Sequence, residues 1–250
     1  MADNFKTRLR NETVIGPIIS LPCADVADLL SRAGFDYLWI DLEHSPMSVT
    51  DAQLLLQAAG GRCPCVIRVP EVSEAWIKKA LDTGCDGIVI PQIRSAAEAR
   101  AAVAWCLYPP LGRRGAAATR AHAFGMDFAG YVARANEDLA IILQVEHIDA
   151  VNEIEAILQT PGVAALFVGP FDLSGSMGLL GQIGHGDVQA AIDRVIAASR
   201  AHGMPLGLYV VDGPSAADAR ARGFNMIALG TDSSYLVAAA RAALAAAKGT

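Results

Sequence analysis

Lysine is scarce in this chain. Among 250 residues only Lys6, Lys78, Lys79 and Lys248 are lysines, and none falls on a segment that reads as a β-strand. Schiff-base chemistry needs a desolvated interior lysine, so a carbanion formed here would have to be stabilised by a metal instead. Also missing is any CxxC pair. The five cysteines, Cys23, Cys63, Cys65, Cys85 and Cys106, are odd in number, and Cys63-Pro64-Cys65 is too tight for a zinc knuckle and lacks a second half. They read as reduced thiols of a cytoplasmic protein. The opening MADNFKTRLRNET has no apolar core, so no secretory signal is expected, and no run of about 18 apolar residues announces a membrane span. No GxGxxG follows the first apolar run, and no GKS or GKT accompanies the Gly-rich stretch after Asp172, which removes the dinucleotide fingerprint and the P-loop. The net charge of −6 is not the footprint of a nucleic-acid binder. It leaves small anionic substrates open, because a local arginine matters more than the total.

What is present is apolar and regular. Hydrophobic residues make up 53% of the chain, enough for a large core in one domain spanning 1–250. Eight apolar runs read as strands: 14–20, 37–42, 65–69, 87–90, 140–145, 164–169, 206–210 and 226–230. Helical patterns lie between them, among them 24–33, 75–83, 96–107, 150–158, 188–202 and 216–222. Near-continuous apolar strands alternating with helices predict a parallel sheet covered on its outside. Eight such units in about 250 residues predict closure into a (β/α)₈ TIM barrel, an α/β fold. Gly34, Gly84, Gly203 and Gly223 stand where helices end, Asp149 and Asp187 where N-caps would sit, and Pro161-Gly162 marks a turn. Two stretches interrupt the rhythm, 109–127 and 170–187; both are expected at the C-terminal face of the barrel, where function concentrates. The last stretch, 233–247, is helical and apolar nearly all round, which suggests a subunit interface.

Charged residues at the ends of the apolar runs carry the chemistry. Glu146 ends AIILQVE and Asp172 follows ALFVGPF. Taken singly, each carboxylate reads as a helix-terminal charge or cap. Taken together, with Gln144 two residues before Glu146 on the same face, they suit a hard divalent ion with positions left for water and a chelating substrate. Arg68, inside VIRVP, needs an anionic partner, either a structural carboxylate or an oxyanion whose developing charge it would stabilise; a neighbouring metal favours the second. His44 follows Asp41 by three residues with Glu43 between, and reads as a base oriented by a carboxylate or as a surface histidine. Asp82 reads as a solvated helix charge. Arg113, Arg114, Arg120 and His122 form either a phosphate or carboxylate site or a solvated loop.

DLEHSP (41–46), VIRVP (66–70), LDTGCDGIVIP (81–91), YPPLGRRG (108–115), LQVE (143–146) and GPFDLSGSMG (169–178) together resemble the HpcH/HpaI aldolase family, over almost the whole chain from about Ile15 to Leu244. The resemblance implies a barrel of the phosphoenolpyruvate/pyruvate-domain type whose last helix is exchanged between subunits of a trimer or hexamer. It implies a divalent metal (Mg²⁺, Mn²⁺ or Co²⁺) on Glu146 and Asp172, chelated by pyruvate, with Gln144 and the backbone of Phe171 and Asp172 contacting that ligand. It assigns enolate stabilisation to Arg68 and the base to His44, with Asp82 raising its basicity and Asp41 orienting it. Phe171 stands where the family has Ser, Ala or Asn. Since only its backbone is used, this touches the shape of the pocket and not the metal site.

The implied reaction is retro-aldol cleavage of a 4-hydroxy-2-oxo acid to pyruvate and an aldehyde. The same metal and arginine would serve oxaloacetate decarboxylation, and a CoA-ester lyase would need the basic 113–122 stretch for the CoA phosphates. A barrel kept for assembly alone should have lost at least one of these residues, and none is missing.

Overall fold

The computed structural model describes residues 4–249. Eight parallel strands close in sequence order into one barrel: β1 (Val14–Ile19), β2 (Leu38–Asp41), β3 (Cys65–Arg68), β4 (Gly87–Ile90), β5 (Ala140–Val145), β6 (Val163–Val168), β7 (Leu206–Val210) and β8 (Met226–Thr231). All eight overlap the apolar runs of the sequence. The barrel seam is the parallel pairing of β1 with β8.

Strand alternation divides the core in two. Leu38, Ile40, Ile67, Ile88, Ile141 and Leu143 point outward into the shell between barrel and helices. Tyr37, Trp39, Val66, Val89, Ile142 and Phe167 point inward. The floor is plugged by α1 (Phe5–Asn11), whose Phe5 packs on Tyr37 at a ring distance of 5.4 Å. Nearer the C-terminal rim, Trp39 and Phe167 meet edge to face at 4.7 Å. Gly207 on β7 makes room for this pair, since a Cβ there would lie 2.3 Å from Phe167.

The outer layer comprises α2 (Ala24–Arg32), α3 (Val49–Ala59), α4 (Glu74–Asp82), α5 (Ala96–Cys106), α6 (Phe128–Asp138), the short pair α7 (Ile148–Asn152) and α8 (Ile154–Leu158), α9 (Pro170–Ser176), α10 (Gly186–Ala201), α11 (Gly213–Arg222) and α12 (Asp232–Lys248). Where the sequence suggested one helix over 150–158, Glu153 breaks it; its carboxylate instead accepts the Ala96 N–H at the start of α5. The expected aspartate N-caps are corrected as well. His147 and His185 occupy the cap positions, and their ring nitrogens accept the N–H groups of Asp149 and Asp187, which lie inside the first turns.

A larger correction concerns 109–127. This stretch joins α5 to β5 through a 3₁₀ turn (Arg120–Gly125) and α6. Helices run back from the C-terminal rim, so a helix-to-strand connection lies at the N-terminal end, not at the C-terminal face. Its basic residues are bound there. Arg114 is buried with its guanidinium 4.6 Å from the Tyr108 ring centre. His122 is fully buried between Tyr108 Oη and Thr119 Oγ1, each 3.0 Å from a ring nitrogen. Arg113 stacks over Trp105, and Arg120 donates to the Thr83 carbonyl. The 170–187 stretch does begin at the C-terminal face, as α9 after β6.

The α12 helix packs on the barrel only at its start. Leu236, Val237 and Leu244 are about half exposed or more, and most of its alanines face outward. All five cysteines are free, and no helix is long and apolar enough to cross a membrane among the described residues.

Candidate active site at the C-terminal rim

The inward register of each strand carries a polar group to the rim. On β5, Ala140, Ile142 and Gln144 face inward, and Glu146 continues that face one step past the strand end. On β2 the same alternation runs Tyr37, Trp39, Asp41, and on β3 it runs Val66, Arg68. Asp41 and Arg68 are direct neighbours in the β2–β3 register. Buried among apolar strands, these charges need one another.

Arg68 donates from Nε to Asp41 Oδ1 at 2.8 Å and from Nη2 to Asp41 Oδ2 at 2.7 Å, and its Nη1 lies 3.1 Å from Glu43 Oε2. Asp41 also accepts the Glu43 N–H at 3.0 Å. The aspartate therefore holds Arg68 and the turn after β2. His44 sits exposed on the cavity margin, with Nε2 3.7 Å from Glu43 Oε2. Arg68 is thus structurally paired with Asp41 and also lines the cavity.

Glu146 is almost fully buried. Its Oε1 accepts the Gln92 N–H at 2.7 Å, and Gln144 Nε2 donates to its Oε2. Gln92 adopts φ +54°, unusual for a residue with a Cβ, and that backbone turn after β4 belongs to the loop that supplies the N–H. Gly169 lets the β6 chain pass close by, since a Cβ there would lie 2.7 Å from Glu146 Oε2. Asp172 stands in the first turn of α9, behind Pro170 at the helix start, and is solvent-accessible. Phe171 is 59% exposed on the cavity rim.

Burial pushes the Glu146 carboxyl up to about 7, with Glu43 and Asp172 adding to the rise and the Gln92 N–H and Arg68 opposing it. Burial pushes Glu43 up to about 7 as well, opposed by Arg68 and reinforced by Asp41 and Asp172. Sequence reading passed over Glu43 and Gln92. Glu43 had a signal in its position between two candidate site residues; Gln92 had none.

Glu43 and Asp172 repel the Glu146 carboxylate, and the buried Gln144 Oε1 lacks any hydrogen-bond partner, so these oxygens are donors whose strain a hard cation would relieve. Among the described residues no three His, Cys, Asp or Glu side chains converge on one point, so Glu146 and Asp172 would be the carboxylates available to an ion. The donor set fits a divalent metal. The cavity above it measures about 410 Å³ and is walled by Trp39, Phe167, Phe171 and Tyr209. A larger cleft of about 550 Å³ opens at the opposite end, between Asp86, Arg120 and Tyr131, and contains none of these groups.

Asp82 lies at the end of α4, also at the N-terminal end, where its carboxylate accepts from Arg114 Nη2 at 3.3 Å. Within one chain it does not meet His44.

Comparison with known proteins shows which family the chain belongs to. The chain is 42% identical over 250 residues to a hydroxypyruvate/pyruvate aldolase of Paraburkholderia phytofirmans, covering 96% of this chain and 95% of the relative. It is 39% identical over 236 residues to a 2-keto-3-deoxy-L-rhamnonate aldolase of Salmonella gallinarum, covering 93% and 88%. A crystal structure of a family protein from Burkholderia cenocepacia superimposes with a TM-score of 0.93 at 39% identity, over 97% of this chain and 98% of the other. The family model matches residues 19–239, and the chain belongs to the HpcH/HpaI aldolase/citrate lyase family.

Proposed function

We propose that this protein is a divalent-metal-dependent aldolase that reversibly cleaves a 4-hydroxy-2-oxo acid into pyruvate and an aldehyde. The observation that carries this reading is the rim cluster: Glu146 and Gln144 on one strand face, Asp172 near them, and Arg68 lining the same cavity as Gln144 and Asp172. Its similarity to two keto-acid aldolases over nearly the full length supports the reaction class.

A metal on Glu146 and Asp172 (Mg²⁺, Mn²⁺ or Co²⁺ by the oxygen donors) would supply Lewis-acid stabilisation of the enolate charge. The chain's own groups do the rest. Gln144 and the backbone of Phe171 and Asp172 orient pyruvate. His44 takes the C4 hydroxyl proton, the C3–C4 bond breaks, its electron pair enters the pyruvate enolate, and C4 leaves as the aldehyde. Arg68 donates to the oxyanion, and protonation at C3 completes pyruvate. Asp82 serves His44 only across a subunit boundary. That requirement and the exposed apolar α12 support a homo-oligomer, a trimer or hexamer with exchanged last helices. The free thiols suit a cytoplasmic setting. The basic stretch that a CoA-ester lyase would need lies at the other end of the barrel.

The test is pyruvate release from 4-hydroxy-2-oxo acids after EDTA, and again after Mn²⁺ or Mg²⁺ is restored, with borohydride alongside. Release that needs metal and survives borohydride is expected. No release with any metal, while oxaloacetate is still decarboxylated, would leave only the enolate chemistry standing.

A further inference from the structure

The cavity has two unlike halves. Its charged groups stand on the arc from β2 to β6. The opposite arc, β7, β8 and β1, contributes only neutral side chains, among them Ser20, Thr231 and Ser233. Behind these hydroxyls lies Asp232, 5% exposed, whose carboxylate accepts the N–H groups of Ser20, Leu21 and Ser233 at 2.8–3.1 Å.

The hydroxyl protons can be followed one by one. Ser20 Oγ is 2.7 Å from Asp232 Oδ1 and must donate there, because a carboxylate only accepts. Ser20 then has no proton for Ser233 Oγ at 3.3 Å, so Ser233 is the donor in that contact. With its proton so directed, Ser233 accepts from Thr231 Oγ1 at 3.0 Å. Thr231 Oγ1 in turn accepts the Ser234 N–H at 3.0 Å. All three protons point back along the chain to Asp232, and each oxygen keeps one lone pair unused.

We infer that this wall is the subsite for the aldehyde half of the substrate and that it selects an uncharged, hydroxylated aldehyde. A surface of free lone pairs backed by a buried carboxylate pairs with hydroxyl donors and repels acceptor-only groups such as a carboxylate or phosphate. No cationic side chain stands on this arc of the cavity to receive an anionic tail. The inference rests on the pyruvate aldolase reading and adds the acceptor class to it. Ser20, Thr231 and Ser233 are specificity-determining residues; Asp232 is a positioning residue acting through them.

The test measures kcat/KM for addition of pyruvate, with Mn²⁺, to glyceraldehyde, to its all-carbon isostere 2-methylbutanal, and to succinic semialdehyde. The parent should favour glyceraldehyde over both. Each hydrogen bond from a half-open wall should be worth about five- to tenfold, so Ser233→Ala and Thr231→Val should each cut the glyceraldehyde preference by about that factor, and Ser233→Thr should keep it. An unchanged preference in both deletions, or a parent that favours succinic semialdehyde, overturns the inference. Exchange of the pyruvate methyl protons in D₂O, followed by NMR without any aldehyde, separates the two levels. Exchange together with an unchanged preference refutes the hydroxyl wall alone; no exchange in the metal-loaded parent refutes the aldolase reading and this inference with it.

Discussion

Burial pushes the Glu43 and Glu146 carboxyls up to about 7, far above an ordinary glutamate. A carboxyl raised in this way binds its proton more tightly folded than unfolded. The stability it contributes is complete below the unfolded value of about 4.3 and is lost as pH rises through about 7. Metal-free protein should therefore melt at a lower temperature at pH 7.5 than at pH 5.5 by calorimetry, and Glu43→Gln should narrow that gap. Mn²⁺ competes with the proton on Glu146, so it should raise the midpoint more at pH 7.5. A midpoint equally raised by Mn²⁺ in Glu146→Gln would remove this residue from the metal site. Arg68 faces the same carboxylates from the other side. Replacing it with Met leaves Asp41 and Glu43 without their cation, and a loss of about 3–5 kcal/mol in denaturant titration is expected. Arg68→Lys keeps the charge and loses the paired donors to Asp41; stability should largely hold while kcat falls about 100-fold.

At the scale of elements, the site is the product of strand alternation. The inward faces of β2, β3 and β5 carry bulky apolar residues low in the barrel and ionic or amide groups at the rim. Their lower layer needs space as well as bulk: Gly207→Val should push Phe167 off Trp39, cost about 1–3 kcal/mol, and change the Trp39 fluorescence. The strands were legible because an uninterrupted apolar run of that length has few other uses, and Glu146 and Arg68 stood out because each closes such a run, Asp172 because it follows one by a few residues. Other parts were harder to read. The α3 helix begins at Ser48 with a reciprocal Ser48–Asp51 cap, a local signal overlooked beside the DLEHSP motif. The 109–127 stretch lies at the barrel floor and not at the expected rim, although element order alone decides it, since a helix-to-strand connection returns to the floor. The contact of Gln92 with Glu146 depends on a left-handed backbone turn, which no side-chain pattern announces.

For the molecule as a whole, α12 is the unfinished element. A 17-residue helix that leaves leucine, valine and alanine in water is poorly accounted for in an isolated chain. Light scattering of the parent should give a multiple of 26.1 kDa, and Leu236→Glu combined with Leu244→Glu should lower it toward the single-chain mass. A single-chain mass for the parent would dismiss both the helix exchange and the service of Asp82 to a neighbouring His44. The Asp232 carboxylate has a different reach, because the Ser20 backbone it holds lies 212 residues earlier in the chain. On the ribosome, β1 emerges some 212 residues before the residue that fixes its outgoing turn. A nascent chain thus carries two open sheet edges until β8 has emerged to pair with β1. Truncation before β8 should yield not a weakened enzyme but an unclosed sheet, vulnerable to proteases and to pairing with its own kind.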